Sequence, residues 1–183
     1  MNVRTFKTIF LSALGTILAF SAVTYTSCST DKCQAIVCAY GGVCNDGACI
    51  CPSGFTGANC QTKVREKYRG IWQVNETGTI TNAAQFTLSV DTSNDGVATN
   101  LLINNFYNRY TTPLRASCVG NDSLIIPLQT INGDKIQGWA TYRDVGSTYG
   151  EHGVLTVFFT VLNPAGVTDD FGVTAGSPST WNK

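Results

Sequence analysis

The chain is poor in the groups that most enzymes work with. Its 183 residues hold one histidine, His152, so a cysteine–histidine couple would have to bring Cys118 to that single ring. No P-loop, dinucleotide fingerprint, nucleophile elbow or metal-binding helix occurs. Charge is scarce too: Asp, Glu, Lys and Arg make up 13% of the chain, twelve of each sign, which is no basis for gripping nucleic acid. No segment keeps a helical period over a useful length. The main apolar run, Ile9 to Val23, has 15 residues, short of the roughly 20 that cross a bilayer as a helix. Enzyme, nucleic-acid binder and helical membrane protein all fit badly, and no cofactor or metal is expected.

Cysteine is what the chain has in plenty. Of eight cysteines, six lie between Cys33 and Cys60 with the spacing C-x4-C-x5-C-x4-C-x-C-x8-C. The segment around them is mostly turn formers, including Gly41-Gly42, Asn45-Asp46-Gly47, Pro52-Ser53-Gly54 and Gly57. So short a stretch cannot bury enough apolar surface to fold alone, and cross-links must do what a core cannot. That points to an oxidising compartment. A zinc site is the rival reading, but paired CxxC motifs and flanking histidines are lacking. Six cysteines allow fifteen pairings. Cys49 and Cys51, two apart on a strand, share a face and would each seek a partner elsewhere.

Cys33, Cys38, Gly41-Gly42-x-Cys44, Cys49-x-Cys51 and Gly54-Phe55-x-Gly57-x-x-Cys60 together resemble an EGF-like module, here spanning 33–61. The resemblance implies the pairs Cys33–Cys44, Cys38–Cys49 and Cys51–Cys60. Each short loop closed this way contributes about 2.5–3 kcal/mol on the chain-entropy model. Calcium-binding modules of this family carry acidic and amide ligands before the first cysteine. Ser29-Thr30-Asp31-Lys32 offers one carboxylate beside a lysine, so a calcium-free module is expected.

The amino terminus has the layout of a secretion signal over 1–27: Arg4 and Lys7, then the apolar run, then Tyr25-Thr26-Ser27-Cys28. Small residues directly before a cysteine resemble the lipobox of bacterial lipoproteins, in the looser form seen in Bacteroidetes. The resemblance implies that Cys28 becomes the first mature residue and carries lipid, palmitate included, with 28–32 as a tether at the outer membrane. Which face of that membrane the protein occupies stays open. The alternative is cleavage near Ala22 with Cys28 bridged to Cys118. Removing the signal leaves ten Lys and Arg against twelve Asp and Glu, a net charge of −2. The stretch 62–67 reads as a charged, solvated linker; Lys63, Arg65 and Lys67, with Arg69 just beyond, alternate along one side of an extended chain, and the alternative is that this side meets lipid phosphates or an anionic polymer.

Residues 68–183 read as mostly β. Alternating or β-branched runs at 70–74, 85–90, 98–103, 114–119, 123–126, 135–142 and 154–161 are separated by turn signals at 93–96, 120–122, 132–134 and 163–164. Seven or eight strands over about 115 residues predict an antiparallel β-barrel or β-sandwich. Gly70-x-Trp72 at the first strand resembles the G-x-W of lipocalins, and the stretch through Leu102-Ile103-Asn104-Asn105-Phe106-Tyr107 is similar to small lipoproteins of calycin-like form. The interior of such a barrel is either filled or holds one small ligand.

Few side chains stand out as sites. Phe106, Tyr107 and Tyr110 sit among amides and suit contact with a protein or a glycan on the surface, or else cap the core. Asp122-Ser123-Leu124 resembles the Asp-Ser-aliphatic pattern of Bacteroidetes O-glycosylation, which marks Ser123. Cys118 reads as a buried, inert thiol, His152 as a hairpin-tip residue, and Asp91-x-Ser93-x-Asp95-Gly96 as a turn, since Leu102 stands where a calcium loop needs Glu. Asp169-Asp170 reads as a polar loop. The expected protein is a lipid-anchored, non-enzymatic recognition or structural accessory of the envelope, with a membrane and a protein or glycan as partners. The alternatives are a carrier with an apolar cavity near Trp72 and Trp139, or a secreted eukaryotic interaction protein glycosylated at Asn75.

Overall fold

The computed structural model describes residues 31–146 and 152–183. The signal sequence, Cys28 and most of the expected hairpin tip before His152 lie outside them. No α-helix occurs among the described residues; strands and three short 3₁₀ turns make up the regular structure.

The disulfide-rich module holds two small hairpins. Strands β1 (Val43–Asn45) and β2 (Ala48–Ile50) pair antiparallel around Asp46-Gly47. Both turn residues have positive φ, 49° and 89°, the conformation that suits a two-residue hairpin loop. Strands β3 (Phe55–Thr56) and β4 (Thr62–Lys63) form the second. The disulfides are Cys33–Cys44, Cys38–Cys49 and Cys51–Cys60. The Tyr40 and Phe55 rings stack with centroids 4.3 Å apart, and exposed Val37, Val43 and Ile50 show how little apolar surface the module buries.

The rest of the chain closes into an eight-stranded antiparallel β-barrel. Strands β5 (Gly70–Glu76), β6 (Ala84–Thr92), β7 (Asn100–Asn104), β8 (Leu114–Val119), β9 (Ser123–Ile131), β10 (Asp134–Asp144) and β11 (Gly153–Leu162) each pair with the next. After a short β12 (Thr168–Phe171), strand β13 (Ser179–Asn182) runs between β11 and β5 and completes the ring. β12 adds a ninth strand along Phe159–Leu162 of β11, the half that β13 leaves unpaired. Closure removes the open sheet edges that invite aggregation. A sandwich is therefore excluded, and the strand that decides it is only four residues long.

Alternation sets the core. In β11 every second residue from Gly153 to Val161 is buried, and β5 turns Trp72, Val74 and Glu76 inward. Trp72, Trp181, Phe106, Phe159 and Phe171 are fully buried. Phe159 and Phe171 stack at 4.2 Å, with Phe106 edge-on to Phe159 at 4.8 Å. In β9 the ladder skips between Ile126 and Gln129, placing Pro127 in a bulge where its missing N–H breaks no bond.

The segment 62–67 is not a solvated linker. Lys63 belongs to β4, and Val64–Tyr68 forms a 3₁₀ turn whose Val64 and Tyr68 are buried against the barrel. Three of the four alternating cations are tied down: Arg65 Nη1 donates to Val97 O at 2.7 Å, Lys67 pairs with Asp122 at 2.5 Å, and Arg69 with Glu66 at 2.6 Å. Tyr68 Oη donates to Asn121 O at 3.1 Å, and its ring meets Tyr142 edge-on at 5.5 Å. Apolar spacing, four residues apart, outweighs the charge pattern. Gly54, at φ 86°, is held where a Cβ would lie 2.8 Å from Thr99 Cγ2, so module and barrel touch at a position only glycine fits.

Candidate functional site

The docked module covers one end of the barrel, beside the 93–99 and 120–122 loops. The opposite end is built from the loops 77–83, 105–113, 132–133 and 163–178, and the predicted aromatic cluster lies there. Phe106 and Tyr110 are each 1% exposed, which corrects the expectation that they meet a partner on the surface. The physical cause is a backbone reversal: Asn105, Tyr107 and Asn108 all have positive φ, and Asn105 Nδ2 donates to Thr87 O at 2.8 Å. This folds the loop over the barrel opening and turns the rings inward. Tyr110 Oη donates to the buried Asp134 at 2.7 Å, with Arg109 at 3.3 Å from the same carboxylate. Tyr107 is half-buried.

Asp169 and Asp170 are not a polar loop either. They belong to β12, and both carboxylates are buried. Asp169 Oδ1 accepts from Ile80 N at 2.9 Å and Thr79 Oγ1 at 3.3 Å, while Oδ2 accepts from Thr81 N at 3.1 Å and Tyr107 Oη at 2.9 Å. Asp170 accepts from the N–H groups of Val173, Thr174 and Ala175 and from Thr174 Oγ1. Burial alone would raise both pKa values. The hydrogen bonds, from Thr81, Ile80 and Tyr107 in one case and the 173–175 turn in the other, outweigh it and hold both below the ordinary carboxylate range. Two charged acceptors thus staple the loops 77–83 and 172–176 to the barrel.

Glu76 behaves in the opposite way. It is 6% exposed, and burial raises its pKa to about 7, with the charge of Asp169 adding to the rise and a hydrogen bond from Ser179 opposing it. Ser179 Oγ donates to Glu76 Oε2 at 3.1 Å and accepts from Trp181 Nε1 at 2.9 Å. Glu76 borders a cleft of about 360 Å³ with Asn75, Thr77, Gln85, Ser177 and Pro178. Its carboxyl is poised to gain or lose a proton near neutrality. The sequence carried a signal for it: Trp72-x-Val74-x-Glu76 puts Glu76 on the inward face.

A second feature lies on the outer wall. Ile125, Trp139 and Phe158 are register partners across β9, β10 and β11, and Trp139 is 43% exposed with Leu128 65% exposed beside it. The Trp139 and Phe158 rings stack at 5.3 Å and 13°. A groove of about 340 Å³ runs past Trp139. Trp139 therefore faces away from the interior that holds Trp72.

The remaining expected residues are dispersed. Cys118 is buried in β8, and burial pushes its thiol up to about 12. Ser123 is half-buried at the start of β9, next to the module-covered end. Asp95 accepts from Ser93, Val97 and Asn100 and closes a turn. His152 is exposed, and its carbonyl accepts from Val145 N at 3.4 Å. Among the described residues no cluster of His, Cys, Asp and Glu has the arrangement of a metal site. No protein-family model matches the chain, and no curated protein matches its sequence.

Proposed function

We propose that this chain is a lipoprotein of the cell envelope, anchored at the outer membrane through acyl chains on Cys28. It acts by recognition or structural association, and its barrel is of calycin-like form. The observation that carries this reading is a cross-linked module docked on one barrel end, with an apolar wall of Ile125, Leu128 and Trp139 left exposed on the outside of the barrel. Exposed apolar surface of this kind marks interaction sites. Three disulfides and the Val64–Tyr68 turn make the module a stiff spacer, so the far loops and outer wall stand away from the attachment point. Several acyl chains, each methylene adding about 0.8 kcal/mol, make such an anchor effectively permanent.

A carrier role draws no support from the interior, where Phe106, Phe159, Trp72 and Trp181 are fully buried. Labelled palmitate supplied to the native host should enter the wild-type chain and not a Cys28→Ala variant. Capture of the chain from its own membrane, followed by mass spectrometry, should then return envelope components. An unlabelled wild-type chain would remove the anchor.

A further inference from the structure

The outer-wall groove combines one flat ring, Trp139, with neutral polar groups, and that pairing restricts what can occupy it. Its lining includes Ile125, Leu128, Gln137, Trp139, Thr160 and Val173 and no ionisable side chain. The floor is set by the register. Trp139 and Phe158 are direct cross-strand partners whose rings stack near-parallel at 13°, so Phe158 covers one face of Trp139 and holds the ring in place beside the groove. The neighbouring rows on the same face pair Gln137 with Thr160 and Thr141 with Thr156. Of these, Gln137 and Thr160 line the groove, so an amide and a hydroxyl stand beside the Trp139 ring.

Each property removes a class of occupant. A neutral lining offers nothing to phosphate or to an acidic or basic peptide. An acyl chain would leave the Gln137 amide and Thr160 hydroxyl desolvated without partners. What fits is a neutral molecule with an apolar face for the Trp139 ring and hydroxyls at its edge, namely a pyranose. Strands hold the site, so little ordering is needed on binding, and a few convergent polar groups beside apolar surface suffice to orient a ligand.

We infer that the groove between Trp139, Gln137 and Thr160 is a saccharide-binding site for a neutral pyranose unit. This rests on the recognition role proposed above and gives it a ligand class. Trp139 stacks on the sugar face, Gln137 and Thr160 bond its hydroxyls, and Val173 closes the rim.

The chain supplies its own reporter. Of its three tryptophans, Trp72 and Trp181 are buried and Trp139 is exposed, so acrylamide quenches Trp139 selectively. Full-length chain in detergent, disulfides intact, would be titrated with disaccharides of β-linked glucose, α-linked glucose, β-linked N-acetylglucosamine, galactose and mannose. At least one should protect Trp139 from acrylamide and blue-shift its emission. By calorimetry, Trp139→Ala should weaken that disaccharide about tenfold or more, and Gln137→Ala severalfold, with unfolding midpoints unchanged. Three results would overturn the inference: no disaccharide protects Trp139, affinity survives both variants, or sedimentation shows wild-type dimers that Trp139→Ala abolishes, which makes the wall a self-association face. Failure of palmitate labelling would remove the anchor and leave this site standing, and the converse also holds.

Discussion

Replacing Glu76 with glutamine tests the electrostatics of the far barrel end. Glu76 is 6% exposed, and its carboxyl moves from the ordinary 4.5 to about 7. That displacement is worth about 3 kcal/mol between the two protonation states. The sign follows from proton counting. Below pH 4.5 both folded and unfolded chains hold the proton. Between pH 4.5 and 7 the folded chain keeps a proton that the unfolded chain releases, so stability falls as pH rises; above 7 the loss is complete. Glu76→Gln keeps the acceptor for Ser179 Oγ, and with it the Trp181–Ser179 bond, but never ionises. The variant should match wild type near pH 4.5 and exceed it by about 3 kcal/mol at pH 8, moving the urea midpoint up by about 1–2 M. Asp169, the charge that faces Glu76 from β12, has a lowered pKa and stays ionised throughout. Groups common to both chains cancel in the difference. Parallel midpoints from pH 5 to 8, or a variant weaker at pH 8, would refute the claim that burial raises this group.

Two further outcomes probe separate parts of the barrel. At Gly78 a Cβ would lie 2.2 Å from Asp169 Oδ1 and 2.7 Å from Phe171 Cζ, so Gly78→Ala should destabilise by about 2–3 kcal/mol, read as a lowered urea midpoint at unchanged slope. Cys118 should react with a disulfide reagent only at the rate of global unfolding, because its thiol is buried and its pKa raised to about 12; native-state labelling at the rate of an exposed thiol would contradict this.

Much of this fold is legible where local chemistry decides it. Six of the seven strand runs fall wholly within β5 to β11; the run 98–103 begins two residues before β7, because Ala98 and Thr99 lie in the turn that packs against Gly54. Turns such as Asn132-Gly133 lie where the residues place them. The disulfide pairing came from likeness to a known module, since spacing alone left fifteen possibilities. What stayed hidden depends on distant partners. β12 and β13 are four residues each, too short for a periodic signal, yet β13 decides barrel over sandwich. Asp169 looks solvated in sequence because its donors, Thr79, Ile80 and Thr81, lie 88 to 90 residues away. The inward turn of Phe106 and Tyr110 rests on positive φ at Asn105, Tyr107 and Asn108, which no apolar pattern encodes.

The two barrel ends differ in how they are held, and this bears on which part is free to bind. At the module end, closure relies on apolar anchors, Val64 and Tyr68, and on pairs such as Lys67–Asp122 whose carboxylate is largely exposed; such exposed pairs contribute at most about 1 kcal/mol. At the far end, Asp169 and Asp170 bind loop backbone from buried positions, where losing an acceptor strands several donors at once. Both ends are thus committed to structure, by different means. The outer wall is not: Trp139 and Ile125 can be altered without opening the core, because their alternating neighbours, Ala140 and Ile126, carry the packing. A surface that folding does not require and that still exposes stacked rings is where the proposed pyranose site lies.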